Sequence, residues 1–405
     1  MSETPSSVVI VGAGLAGAKT AEALRKADYT GPITLIGSES DLPYERPPLS
    51  KSYLQGKSPF DDALTHPEGW YADNNVQLRL SSEVSALHPD TAEVELADGT
   101  REGYGALVLA TGSEPVRLPI PGIERALTLR THADADAIRA TFGSGRRLVI
   151  IGGGWIGLEV AAAARELDTA VTVLESAKQP LLHVVGPDIA PVFADLHRAH
   201  GVDLRLGAQV STIEEDGVRL ADGELIPADA VVVGVGARPR IDLARDAGLA
   251  VDGGVLVDAQ LRTSDPAIYA VGDIADEEHS ILGRRIRVEH WATALNQPAT
   301  AAAALLGGPD TYDRLPYFFS DQYDLGLEYV GDVPKDADAR VVVRGDLAGR
   351  EFVAFWLDPG DRLLAAMNVN VWDVPDEVKP LIAAGTPVNP DRLTDPSVPY
   401  SALGG

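Results

Sequence analysis

Two glycine-rich segments carry chemistry that can be read directly. Gly12-x-Gly14-x-x-Gly17 follows the apolar run Val8-Val9-Ile10-Val11, and Gly152-x-Gly154-x-x-Gly157 follows Leu148-Val149-Ile150-Ile151. At this spacing the first glycine permits a tight turn, the second lets the backbone approach a pyrophosphate, and the third lets a helix pack closely on the strand. The positive end of that helix then stabilises phosphate charge. An acid follows each segment: Glu39 lies 22 residues beyond Gly17, and Glu175 lies 18 residues beyond Gly157. A carboxylate there accepts hydrogen bonds from an adenosine ribose and opposes a 2′-phosphate, so NADH is the nicotinamide expected at the second segment. Lys178 either softens that preference or is a solvated surface lysine. Glycines serving only as structural turns are the alternative in both places.

These residues need a strand before them and a helix after, and the chain supplies that unit twice. Ala-rich stretches of helical composition, Ala16 to Ala27 and Leu158 to Leu167, follow the glycines, and second apolar strands follow those at Ile33 to Ile36 and Ala170 to Leu174. Runs ending in Gly turns at Ala106 to Gly112 and Ala230 to Gly236 close each copy, and Ile268 to Asp273 returns to complete the first. The expected fold is α/β: two Rossmann-like domains, the second inserted in the first, plus a small C-terminal α+β domain. The expected boundaries are 1–112 and 241–317 for the first domain, 113–240 for the second and 318–405 for the third.

Composition narrows the chemistry. The chain has 405 residues, a formal charge of −26 and no cysteine. The charge argues against nucleic acid or an anionic membrane as partner. Without cysteine, this chain supplies no disulfide, thiolate nucleophile or iron–sulfur ligand, so redox chemistry falls to a bound cofactor. The start MSETPSS lacks an export signal and no apolar run is long enough to span a bilayer, so a cytoplasmic protein is expected. Two dinucleotide sites in one chain fit hydride transfer from a nicotinamide to a tightly held FAD. No metal site is expected.

The sequence resembles the NADH-dependent ferredoxin reductases of bacterial oxygenase and cytochrome P450 systems, a branch of the glutathione-reductase-like two-dinucleotide flavoproteins. The resemblance runs over essentially the whole chain. Besides the glycine segments it rests on Tyr44-Glu45-Arg46-Pro47-Pro48-Leu49-Ser50-Lys51, Ala110-Thr111-Gly112, Thr263-Ser264-Asp265-Pro266 with Val271-Gly272-Asp273, Glu289-His290-Trp291, and Phe319-Ser320-Asp321-Gln322-Tyr323. It implies that Asp273 bonds the flavin's ribityl chain, that Lys51 stands beside the hydride-accepting nitrogen, and that Glu159 pairs with Lys51. A purely structural Lys51–Glu159 ion pair is the bland alternative and is compatible with catalysis. Arg46 and Pro47 would line the ring edge and Arg130 would contact the diphosphate. Trp291 either packs in the core or lies against the flavin on the electron path. The resemblance extends the FAD set to Ala16, Ser38, Val84, Gly272, Glu289 and His290, with His290 favoured as a structural histidine. It extends the NAD set to Trp155, Ile156, Glu159 and Gly236.

The missing cysteine separates this chain from relatives that need a redox disulfide or a single active thiol. The expected activity is transfer of electrons from NADH through FAD to a [2Fe–2S] ferredoxin serving a P450 or a ring-hydroxylating oxygenase, in a monomer or homodimer. Rubredoxin reductase, or a redox-responsive flavoprotein of the apoptosis-inducing-factor type, is the alternative. The acidic chain implies a local basic patch for an acidic carrier, and Arg284, Arg285 and Arg287 are either that patch or ordinary surface arginines.

Overall fold

The structure, a computed structural model, describes residues 4–403. The chain divides into two compact units, one comprising residues up to Glu45, Asp61–Glu114 and Arg238–Pro316, the other Arg46–Phe60, Pro115–Ala237 and everything from Tyr317 onward.

In the first unit the strand Val8–Val11 lies at the middle of a five-stranded parallel sheet, between Ile33–Ile36 and Ala106–Leu109. Val76–Arg79 extends one edge and Ile268–Ala270 the other. The central strands read as unbroken apolar runs because both faces of a parallel sheet are covered, and all four residues of Val8–Val11 are buried. The returning strand Ile268–Ala270 pairs in register with Leu107–Leu109, which completes the first sheet after the long insertion.

The second unit repeats the plan. Its parallel sheet runs in the order Asp203–Leu206, Ala170–Glu175, Arg147–Ile151, Ala230–Val233. The helices after the glycine segments span Leu15–Lys26 and Trp155–Glu166, beginning earlier than their apolar composition suggests, because Gly14 and Gly154 are themselves the extended cap residues. Trp155 and Ile156 are thus helical.

From Tyr317 the chain forms an antiparallel five-stranded sheet in the order Tyr317–Gln322, Leu325–Gly331, Leu363–Val369, Glu351–Leu357, Arg340–Asp346. This segment does not stand apart from residues 113–240, as the sequence-based boundaries would have it. Leu158, Val185, Ile189 and Phe193 share one apolar core with Leu325, Phe352, Trp356 and Met367. Residues 46–60, placed by sequence with the first domain, pack instead within the second unit. There Tyr53 donates a hydrogen bond to Asp136 at 2.5 Å and Phe60 stacks on His132 with ring centroids 3.6 Å apart.

Phe193 is fully buried in that shared core, edge-on to Trp155 at 5.3 Å. Phe193→Ala is expected to lower the stability of the second unit by about 3–5 kcal/mol, measured by denaturant unfolding; a loss below about 1 kcal/mol would contradict the shared core.

Candidate functional site

The two glycine segments have closely similar geometry. Gly12 and Gly152 adopt φ of +112° and +109°, and a Cβ on either would strike a carbonyl of the strand end beside it, Ala110 O at 2.1 Å or Gly234 O at 2.4 Å. Only glycine fits such a turn. A Cβ on Gly17 or Gly157 would meet the carbonyl of Gly12 or Gly152 at 1.9 or 2.2 Å, so these third glycines bring the helix against its own turn. Gly14 differs from both, because a Cβ there would meet nothing within 4 Å, and at Gly154 the nearest atom is Gly234 O at 3.8 Å. Open space thus faces backbone amides at the start of each helix, and neither helix has an acid in its first turn to repel phosphate. Both cradles suit a dinucleotide pyrophosphate, and Gly236, at φ +114° with open space around it, leaves the second accessible beside the strand end.

The acids after the second strands do different work. Glu39 accepts a hydrogen bond from the Tyr44 hydroxyl at 2.5 Å, next to the exposed Ser38. Glu175 accepts the amide N–H groups of Gly153 and Ala177, each at 2.7 Å, so its carboxylate is locked onto the glycine loop that it serves. Lys178 is exposed.

In the first unit Ala110, Thr111 and Gly112 follow the strand Ala106–Leu109, and the Thr111 hydroxyl donates to Arg240 O at 2.7 Å. At Gly272, where φ is +76°, a Cβ would lie only 3.2 Å from the Ala16 methyl, which brings the buried Asp273 close to the first glycine helix. Behind this turn the Gly272 N–H donates to Gln297 Oε1 at 2.7 Å, and Gln297 donates in turn to the buried Glu277 at 3.2 Å. Burial, with Asp276 adding to it, pushes the Glu277 carboxyl up to about 8. Nothing in the sequence pattern singled out Glu277 or Gln297. The Trp291 indole N–H donates to Glu45 at 3.0 Å, and the helix Trp291–Leu305 runs on from it. His290 is pushed down to about 4 by burial, consistent with a neutral ring. Glu289 pairs with Arg287, and Val84 is buried at the start of the strand Val84–His88.

In the second unit Lys51 Nζ lies 2.8 Å from Glu159 Oε2, with Glu159 3% and Lys51 15% exposed. Ser50 also donates to Glu159, and Ser320 donates to its other oxygen at 2.6 Å. The Lys51 ammonium stands 5.4 Å from the Phe319 ring centroid. Ser50, Ser320 and Phe319 sit inside the motifs singled out in the sequence, yet no spacing rule marks a lone hydroxyl as a donor to a buried acid. Pro47 opens the short turn that delivers Lys51, Arg46 donates to Arg130 O, and the Arg130 N–H donates to Asp134 at 3.0 Å. Trp155 contacts Phe193 and Phe318, while Ile156 is 43% exposed at the helix start.

The basic run is partly neutralised where it stands. It forms a hairpin strand, Arg284–Arg287, in which Arg285 donates to Asp276 O at 2.6 Å and Glu278 at 3.3 Å, and Arg287 donates to Asp273 O at 3.1 Å as well as to Glu289. Arg287 thus secures the Asp273 turn, and the carboxylates of Glu278 and Glu289 offset part of the run's charge.

Two glycine cradles in parallel sheets, a buried lysine–glutamate pair and no cysteine define a two-dinucleotide oxidoreductase. The chain belongs to the pyridine nucleotide-disulphide oxidoreductase family, matching it over residues 6–298 and the reductase C-terminal family over residues 317–403. It is 44% identical to the ferredoxin–NAD(+) reductase component of the anthranilate 1,2-dioxygenase system of Burkholderia cepacia, over 96% of this chain and 97% of that protein. It is 40% identical to putidaredoxin reductase of Pseudomonas putida, over 98% of this chain and 96% of that one. It superposes with a TM-score of 0.94 on the reductase of the covalent putidaredoxin reductase–putidaredoxin complex, at 40% identity and 98% coverage of both chains. Membership carries FAD and NAD(H) as cofactors, which the two cradles fit.

Glu175→Ala is expected to raise the KM for NADH about tenfold and to narrow the preference over NADPH, measured by steady-state kinetics with both donors. Because the folded chain keeps a proton on Glu277 that the unfolded chain gives up above about 4.5, the stability this site contributes is present at low pH and lost as pH rises toward about 8. Glu277→Gln should therefore gain in Tm over the unsubstituted protein between pH 5 and pH 8; an offset equal at both pH values would show that Glu277 is ionised in the fold.

Proposed function

We propose that the protein is an FAD-dependent NADH:ferredoxin reductase, passing electrons from NADH to a [2Fe–2S] ferredoxin that serves a cytochrome P450 or a ring-hydroxylating oxygenase. The observation that carries this reading is the similarity along 96–98% of this chain to reductases named for such carriers. FAD supplies, when bound, acceptance of a hydride and release of its electrons singly, as a one-electron iron–sulfur protein requires.

The residues then take roles by their chemistry. Gly14 and Gly154 admit the two pyrophosphates to the helix starts. Glu39 and Glu175 receive the adenosine riboses, the latter favouring NADH. Asp273, on a turn fixed by Gln297 and Arg287, accepts from the flavin's ribityl hydroxyls. Lys51, aimed by Glu159, places a fixed cation where negative charge grows as the ring is reduced, and a preorganised charge in a dry site is worth more than one in water. Trp291, with its N–H engaged by Glu45, presents a rigid ring on the carrier side. We read the protein as cytoplasmic. No helix among the described residues is long and apolar enough to cross a membrane.

Anaerobic titration of the flavin-loaded protein with NADH, alone and with a [2Fe–2S] ferredoxin, tests this. Bleaching of the flavin band followed by reduction of the ferredoxin is expected, and Lys51→Ala should slow the flavin step about a hundredfold. Protein that binds no flavin, or flavin that bleaches while the ferredoxin stays oxidised, would overturn the reading, and preferential reduction of a rubredoxin would assign a different carrier.

A further inference from the structure

The Lys51–Glu159 pair is the end of a longer hydrogen-bonded chain. Glu159 Oε1 accepts from the Ser320 hydroxyl at 2.6 Å, Ser320 Oγ accepts from Gln322 Nε2 at 3.1 Å, and Gln322 Oε1 lies 2.9 Å from His197 Nε2. Ser320, Gln322 and His197 are each at most 1% exposed. An amide oxygen only accepts, so His197 must carry its proton on Nε2 and donate it. Burial holds His197 neutral, pushed down to about 4. The other end of the Gln322 amide, its N–H group, faces Ser320. The amide hydrogen fills the serine's acceptor side, which leaves the single hydroxyl hydrogen to go to Glu159.

Every link therefore points the same way, toward the carboxylate. Glu159 can accept about four hydrogen bonds, and Ser50, Ser320 and Lys51 supply three from different directions. A carboxylate with two oxygens claimed by different partners cannot rotate, and a lysine bonded to it inherits that orientation.

We infer that Ser320, held by Gln322 and His197, is a positioning residue that sets the orientation of Glu159 and through it the place of the Lys51 ammonium. The inference rests on the catalytic reading of Lys51 proposed above. Its signature is loss of rate without loss of binding. It also predicts non-additivity, because removing the serine has nothing left to misplace once the lysine is gone.

The test is stopped-flow reduction of flavin by NADH in holoprotein variants matched for flavin content. Ser320→Ala should lower the limiting rate on the order of tenfold with the NADH dissociation constant within twofold, and Ser320→Thr, which keeps the hydroxyl, should restore most of it. In the Lys51→Ala background Ser320→Ala should change the rate less than about twofold. Gln322→Met, which removes the donor to Ser320 at similar volume, should reproduce part of the loss and gives an independent reading should Ser320→Ala bind flavin poorly. If Lys51→Ala is slow but Ser320→Ala and Gln322→Met are not, or if the losses add fully, the relay is overturned and the role of Lys51 stands. If Lys51→Ala reduces flavin at the normal rate, the catalytic reading of Lys51 itself has failed.

Discussion

A carboxylate held almost out of water is costly unless donors surround it, and the organisation of the second unit follows from how Glu159 obtains them. The helix Trp155–Glu166 carries the acid into the interior by packing its alanine face on the parallel sheet. That helix provides none of the three side-chain donors. They come from Ser50 and Lys51, more than a hundred residues earlier, and from Ser320, more than a hundred and fifty later. Three distant segments must therefore meet before the charge is compensated: Leu158 and Phe193 share a core with the C-terminal sheet, while Tyr53 on Asp136 and Phe60 on His132 fasten the segment that carries Ser50 and Lys51.

This requirement explains what was and was not legible in the sequence. The strand–glycine–helix units could be read because their constraints are local: a positive φ at Gly12 and Gly152, and a Gly12 carbonyl lying 1.9 Å from where a Cβ of Gly17 would be. Strands such as Val8–Val11 and Arg340–Asp346 announced themselves by apolar content and by turn residues on either side. The membership of residues 46–60 was hidden, because their anchors, Tyr53 on Asp136 and Phe60 on His132, are contacts between a short segment and a distant helix that no periodicity records. The Ser320–Gln322–His197 relay was hidden for the same reason. Each member is an ordinary residue in its own stretch of chain, and only tertiary packing turns it into a directed donor.

The arginine run is a sequence signal whose charge is partly met by its own surroundings. Three arginines in four residues look like a basic patch, but Arg285 and Arg287, on one face of a hairpin strand, bond the carbonyl of Asp276, Glu278, Glu289 and the carbonyl of Asp273. Charge density along the sequence therefore reports on carrier docking only after local pairing is subtracted.

Stability alone does not account for the lysine–glutamate pair. Replacing a buried ion pair by apolar side chains of similar volume is often neutral or stabilising, so the presence of one is weak support for a structural purpose. The segment that carries Lys51 is already fastened by Tyr53 on Asp136 and Phe60 on His132. What the ionic form adds is a positive charge at a fixed place, 5.4 Å from the Phe319 ring centroid, with its counterion bonded to it at 2.8 Å and immobilised by two serines. Under the function proposed above, a charge fixed in this way serves flavin reduction rather than folding, and the donors behind Glu159 keep it in place.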